Sequence, residues 1–305
     1  MLDFSVIVPV YNSEETLVEL FNRLSVVFNE LGSTYEIIFV EDGGVDHSWE
    51  IITKLKNDFP KQIVAIKLNK NFGQHNATMC GFTFAKGERI ITIDDDLQNP
   101  PEEIKKLVKT YEENNSDITY GIYTNKQHDF ARNVMSKSVK KSSKVFMKGT
   151  GKGSSFRIIN HKIIRRLLEH NITFIFIDEV LQWYTNRISF VAVEHKKRQF
   201  SKSGYSSRKL FMLASDLTYY YTNIPLKLMV YGGMIISFFS FLLALKFIVQ
   251  KLFYDVPLGY TSVIVAVLFS TSIIVFSLGV IGGYLSRIQL VQNKKPQFHI
   301  EKLLD

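Results

Sequence analysis

An α/β domain with a mostly parallel sheet and helices on both faces, followed by a hairpin of two apolar helices, is the fold class that the sequence predicts. Two observations carry it. Between residues 4 and 123, short runs rich in β-branched residues alternate with amphipathic stretches of helical period. Strands that alternate with helices imply right-handed crossovers and a parallel sheet. Further on, residues 228–245 and 261–285 carry no charged side chain. At roughly 20 apolar residues per crossing, each stretch has the length of a membrane helix.

The elements follow in order. FSVIVPV (4–10) reads as a first strand and not as a signal peptide, because it has no basic segment before it and no small-residue cleavage site. SEETLVELFNRLSVVFNEL (13–31) reads as a helix with Ser13 as its N-cap and Glu14 and Glu15 in its first turn. YEIIFVED (35–42) is a strand that ends in acids, and 46–58 is the next helix. IVAIKLN (63–69) is a strand, and 76–87 is a helix closed by Gly87. RIITIDDD (89–96) is a fourth strand, PPEEIKKLVKTYEEN (100–114) a helix with prolines at its first turn, and DITYGIY (117–123) a fifth strand.

The chain has 305 residues, a formal charge of +8 and a single cysteine, Cys80, so no internal disulfide is possible and a reducing compartment is expected. The expected organisation is a domain over 1–205, an amphipathic surface helix over 206–225, two membrane helices within 226–285 and a tail over 286–305. Lys202, Arg208 and Lys209 precede the first apolar stretch and Arg287, Lys294 and Lys295 follow the second, whereas Lys251 in the loop between is balanced by Asp255. Basic excess on both outer flanks predicts that both ends lie on the cytoplasmic side. Attraction to anionic lipid accounts for these basic residues better than nucleic acid does.

In open α/β sheets, ligands bind beyond the carboxyl ends of the strands. Three such ends are polar here: Pro9, Val10, Tyr11 and Asn12; Glu41 and Asp42; and Asp94, Asp95 and Asp96. Adjacent carboxylates repel one another unless a cation sits among them, and hard oxygen ligands suit Mg²⁺ or Mn²⁺. In an extended chain Asp94 and Asp96 share one face, with Gln98 close behind. Gly43 and Gly44 allow a tight turn and a close backbone approach to a ligand. GTGKGSS (149–155) does not fit a nucleotide P-loop. His161, His170 and His195 show no metal spacing and are expected to lie at the surface or to pack.

SVIVPVYNSEETL, EIIFVEDGGVDHSWEII, LNKNFGQHNATMCGF and IITIDDDLQNPPEEI occur in this order, with RQFSKSGYSSRKL and an apolar tail after them. Together they resemble family-2 glycosyltransferases of the GT-A, Rossmann-like fold, and in particular bacterial polyprenyl-phosphate glycosyltransferases, over nearly the whole chain. The resemblance implies an enzyme of the bacterial inner membrane. It would move a sugar from a UDP-, dTDP- or GDP-sugar onto undecaprenyl phosphate with inversion, for cell-envelope glycan modification. It implies Mg²⁺ or Mn²⁺ at Asp94, Asp96 and Gln98, and a homo-oligomer, with a tetramer suggested. Pro9, Val10, Tyr11, Asn12, Glu14, Asp42 and Asp95 are implied on the nucleotide. Arg198, Ser201, Lys202 and Ser203 are implied in a loop closing on the diphosphate. Arg157, with Lys126, Arg132 and Lys152, is implied at the acceptor phosphate. The chain departs from the pattern at Tyr123, where an arginine is common, and at Ser201, where glycine often stands. Asp178 and Glu179 lie where wider relatives carry a base; they also read as polar caps of a helix start.

Two alternatives remain at this level. A processive polysaccharide synthase would carry more apolar spans and a Gln-x-x-Arg-Trp element, which LQWYTNRI does not match. A non-catalytic nucleotide-sugar-binding subunit would not need the set Asp94, Asp96 and Gln98.

Overall fold

The computed structural model describes residues 2–123, 154–169, 176–195, 259–292 and 296–305, with isolated positions between 231 and 253. Two compact units emerge. One comprises residues 1–204 together with 295–305, and the other comprises residues 205–294.

The first unit is built on an eight-stranded sheet. Its strands are β1 (Phe4–Val10), β2 (Tyr35–Glu41), β3 (Ile63–Leu68), β4 (Arg89–Thr92), β5 (Ile118–Tyr123), β6 (Arg157–Asn160), β7 (Ile188–Val193) and β8 (Ile300–Leu304). The order across the sheet is β7-β5-β6-β4-β1-β2-β3-β8. β4, β1, β2 and β3 are mutually parallel, as the alternating pattern predicts. β1 and β2 are buried along their whole length, which is why they read as continuous apolar runs rather than as alternation.

Helices α1 (Leu17–Leu31), α2 (Ser48–Asp58), α3 (Gln74–Phe84) and α4 (Ile104–Glu113) connect the parallel strands. α4 buries Ile104, Leu107, Val108 and Tyr111, one stripe at helical spacing. α1 buries Leu17, Leu20, Phe21, Leu24, Val27 and Phe28, and these pack with β1 and β2 side chains in the main core. Two short helices, α5 (His161–Leu168) and α6 (Ile177–Leu181), follow β6.

Four boundaries differ from the sequence expectation. α1 begins at Leu17, and Ser13 does not cap it: the Ser13 hydroxyl donates instead to Asp95 Oδ2 at 2.5 Å. α3 spans Gln74–Phe84 rather than 76–87, so Gln74 and His75 lie in its first turn. β4 stops at Thr92, and Asp95 and Asp96 lie in a turn rather than in an extended strand. The last residues are not a free tail. β8 pairs antiparallel with β3, and Asn69 N donates to His299 O at 3.1 Å. Strand β8 covers what would otherwise be an open edge of the sheet.

β6 and β7 are further strands that the pattern did not reveal. β6 runs antiparallel to both β4 and β5, with Arg157 opposite Thr92. A four-residue strand, RIIN, is too short to show a period.

In the second unit, the later apolar stretch forms one helix, α7 (Tyr260–Gln292), of 33 residues. Val263, Val267, Phe269, Ile274 and Leu278 on it are exposed. Among the described residues no helix is long and apolar enough to cross a membrane. That finding and the length of α7 are compatible, because only some of its side chains are among the described ones. The predicted membrane hairpin is therefore not shown. The amphipathic segment 206–225 lies outside the described residues.

Candidate active site

The parallel strands β4, β1 and β2 are neighbours, so the loops leaving their carboxyl ends meet at one edge of the sheet. Those loops carry Asp94–Asp96, Tyr11–Asn12 and Asp42–Asp46. Because β6 runs the other way, its first residue, Arg157, is delivered to the same edge. α3 follows β3 and brings Gln74 and His75 there.

The three loops are laced together by side chains that the sequence singled out. Asn12, at φ 54, accepts a bond from Val45 N on its Oδ1 at 2.8 Å. Glu14 N donates to Asp46 Oδ2 at 2.9 Å, and Glu14 Oε2 accepts from His47 N at 2.8 Å. Asp95 turns towards the first loop, where Tyr11 N donates to it at 3.0 Å, and its carbonyl accepts from the Thr16 hydroxyl at 2.6 Å. Asp95 therefore braces two loops. Burial pushes its carboxyl up to about 7, against the bonds from Ser13 and Tyr11.

Asp42 is buried at the end of β2 and accepts from Phe72 N at 2.7 Å and Gly73 N at 2.8 Å. It clasps the segment that leads into α3. Burial raises its carboxyl from 3.8 to about 6, against those two amides. Folding then takes up protons between these values, so stability from this group is greatest below pH 4 and is lost as pH rises through 6. Asp42→Asn is expected to remove this slope. Urea unfolding of both proteins from pH 4 to 7 checks it, with a difference on the order of 2 kcal/mol accumulating across the window.

Gly43 stands at φ 65, and a Cβ there would collide with the Lys70 backbone. The tight turn expected at Gly43 and Gly44 thus serves a close approach to the chain itself. Gly43→Ala is expected to cost about 1–3 kcal/mol in a denaturant titration, through strain and overpacking together.

Asp94 is the hub of the site. Gln74 Nε2 donates to its Oδ1 at 2.5 Å, and the Ser155 hydroxyl donates to its Oδ2 at 2.6 Å. Gln98 N donates to Asp96 Oδ1 at 3.1 Å. Between them Leu97, at φ 56, is buried in the left-handed region. A non-glycine residue holds that conformation only where its surroundings over-determine it, and here it fixes the turn that separates Asp96 from Gln98.

Among the described residues, no group of three or more Asp, Glu, His or Cys side chains is arranged to hold a metal ion. Magnesium usually takes one or two carboxylates and fills the rest of its shell with water and phosphate oxygens. Asp94 and Asp96 fit such a partial, all-oxygen shell.

A small cavity of about 50 Å³, partly open to solvent, lies beside Asp94 and is walled by Pro9, Gln74, His75, Ser155, Arg157 and Asp178 among others. Arg157 is 3% exposed and donates through Nη1 to Asp178 Oδ1. Burial pushes the His75 imidazole down to about 4, so it is neutral at physiological pH. The first turn of α3 (Gln74, His75) and Ser155 are the site residues that motif reading missed. NFGQHN carries part of the family resemblance, and its position past the end of β3 is the signal that places Gln74 and His75 at the site. His161 and His195 pack as expected, His161 Nδ1 lying 2.8 Å from Gly87 O and His195 against the Tyr123 ring. Arg198, Ser201, Lys202, Ser203, Lys126, Arg132, Lys152 and His170 lie outside the described residues.

A family model described as glycosyl transferase family 2 matches residues 5–178, which include every loop of this site. The chain belongs to glycosyl transferase family 2. It is 34% identical to the undecaprenyl-phosphate 4-deoxy-4-formamido-L-arabinose transferase of Pectobacterium atrosepticum, over 98% of this chain and 92% of the relative. The transferase of the same name from Yersinia enterocolitica is 34% identical over 98% of this chain and 93% of its own. Among solved structures, glucosyl-3-phosphoglycerate synthase from Mycobacterium tuberculosis, in complex with Mn²⁺, UDP-glucose and phosphoglyceric acid, superposes with a TM-score of 0.52 at 14% identity, covering 72% of this chain and 78% of that one. This likeness establishes the GT-A-like fold of the family-2 enzyme. The chain is thus a glycosyltransferase, and the non-catalytic alternative is set aside.

Proposed function

We propose that this glycosyltransferase moves a sugar from a nucleotide-sugar donor to polyprenyl phosphate, in a single displacement with inversion. The observation that carries the reading is the placement of Asp94 and Asp96 where the three laced loops meet. The near-full-length similarity to transferases named for undecaprenyl phosphate supports the lipid acceptor.

In this reading the loops carrying Tyr11, Asn12 and Asp42 hold the nucleotide. Asp94 and Asp96 would hold Mg²⁺ or Mn²⁺, which when bound supplies positive charge next to the diphosphate leaving group. Gln74 and Ser155 orient Asp94. The attacking atom is a phosphate oxygen of the lipid. A phosphate monoester with a second pKa of about 6 is already largely dianionic at neutral pH, so it needs positioning rather than a general base. Asp178, tied to Arg157, is not required as one.

Two observations support a membrane hairpin. α7 is 33 residues long, and residues 261–286 within it carry no charge. At about 1.5 Å per residue such a helix exceeds a hydrocarbon core roughly 30 Å thick. Also, β8 lies in the same sheet as β1 to β4. The segment between residues 195 and 296 must then start and finish on one side, which suits two crossings with both ends in the bacterial cytoplasm.

The test is transfer of radiolabelled sugar from UDP-, dTDP- and GDP-sugars into undecaprenyl phosphate in detergent with Mg²⁺ or Mn²⁺. The expected result is label in the organic phase that disappears with EDTA. Folded protein that binds a nucleotide yet labels no lipid from any donor would sink the reading.

A further inference from the structure

A row of side chains crosses four strands beside the cavity. Phe190 of β7 stands opposite Tyr120 of β5, Tyr120 opposite Arg157 of β6, and Arg157 opposite Thr92 of β4. Paired residues on neighbouring strands share one face of the sheet. Tyr120 is fully buried, and its ring is stacked on that of Phe190, with centroids 5.8 Å apart and planes 18° apart. The ring is thereby clamped, and its hydroxyl lies beside the charged pair Arg157 and Asp178.

The polar atoms of this group are unevenly used. The Thr92 hydroxyl donates to Ser155 O, and Arg157 Nη1 donates to Asp178 Oδ1. The Tyr120 hydroxyl and Arg157 Nε are buried and have no hydrogen-bond partner among the described residues. Buried polar groups are almost always bonded, and an exception calls for an explanation in strain or in function. Phenylalanine would make the same stack on Phe190 and bury no unbonded oxygen, so packing does not account for the hydroxyl.

Arg157 and Asp178 both line the cavity beside Asp94, so the guanidinium can turn to a substrate oxygen there. That movement alone would leave the Asp178 carboxylate buried without its donor, which is strongly unfavourable. The Tyr120 hydroxyl can fill the place. Burial pushes its ionisation up, so it keeps its proton and remains a donor.

We propose that Tyr120 is a positioning residue of the transferase: when Arg157 turns to a substrate oxygen, the Tyr120 hydroxyl donates to Asp178 in its place, and the guanidinium is released without stranding a buried carboxylate. Asp178 is thus held by Arg157 in the resting protein and by Tyr120 in the substrate complex. The inference rests on the transferase reading above and adds a residue to that site.

The test compares wild type, Tyr120→Phe, Asp178→Asn and the double variant, each full-length in detergent. Thermal unfolding is measured without substrate, and initial rates are measured for sugar transfer to undecaprenyl phosphate from the donor that wild type uses. Tyr120→Phe is expected to melt at or above the wild-type temperature, because it removes an oxygen that is not bonded in the resting state. It is expected to lose roughly tenfold to hundredfold in kcat/KM, the scale of one hydrogen bond to a charged group. In the Asp178→Asn background the same substitution is expected to change the rate by no more than about twofold, because the charged acceptor is already gone. A Tyr120→Phe protein that melts lower would place the bond in the resting protein, where a purely structural role needs it. One with wild-type kcat/KM would leave the hydroxyl without a part in the reaction. Either result overturns the proposal, and so does an equal loss in both backgrounds, since Asp178 would then not be the acceptor. Wild type that transfers no sugar from any donor would instead overturn the transferase reading, and this inference with it.

Discussion

Asp94→Ala is expected to lower sugar transfer on the order of 10²–10³-fold, the largest loss at any single position of the site. Asp94 has two duties. Its carboxylate is one of two that would hold the divalent cation, and it also receives Gln74 from α3 and Ser155 from the segment before β6. Removing it cuts the connection between three elements that have no sequence proximity. Gln74→Ala and Ser155→Ala each remove one of those bonds and leave the carboxylate. They are therefore expected to cost far less, about tenfold each, as outer contacts of a ligand commonly do. Transfer assays with initial rates, run across a Mg²⁺ titration, separate the two roles. In Asp94→Ala the loss should persist at saturating metal, whereas the milder variants should be partly rescued by it. Equal loss in all three would mean that Asp94 acts only as a structural hub.

Asp178→Ala is expected to destabilise the first unit by about 3–5 kcal/mol, because it leaves the Arg157 guanidinium buried without its counter-charge. Arg157 is 3% exposed and its Nε already lacks a partner among the described residues. The double variant Arg157→Met with Asp178→Leu removes both charges, and most of the stability should return. Denaturant unfolding of the two single variants and the double variant measures this coupling directly. Additive losses would show that the two side chains do not act as a pair. Activity should not return in the double variant even where stability does, since the Arg157 guanidinium no longer lines the cavity.

These expectations depend on features that were unequally legible in the sequence. The acids at 94–96 and 42 could be placed at strand ends because β1, β2 and β4 are short apolar runs that stop abruptly at polar residues. The extended-chain argument for Asp94 and Asp96 reached a correct feature, Asp95 facing elsewhere, by an incorrect route. The strand ends at Thr92, and it is a turn that diverts Asp95 to Tyr11 and Ser13. Ser13 reads as an N-cap for a sound local reason, yet the helix starts later, after Thr16, and the Ser13 hydroxyl donates to the half-buried Asp95 carboxylate instead. Arg157 was singled out through resemblance and assigned to the acceptor. Its partner Asp178, 21 residues on, could not be inferred from spacing, because no periodic element joins them.

By itself the sequence determined the class of the fold, the order of the alternating strands and helices as far as Tyr123, the family and the position of the acidic loop. Periodicity, strand length and turn chemistry are local properties that each segment carries with it. Only the tertiary structure decided that β6 enters the sheet antiparallel beside β4, bringing Arg157 and Ser155 to Asp94, and that β8 closes the far edge beside β3. Those pairings join segments that are 65 or more residues apart and, in β6, only four residues long. Such contacts are selected by backbone hydrogen bonds that an edge strand must satisfy and by side chains that the assembled core can bury, and neither exists until the rest of the sheet has formed.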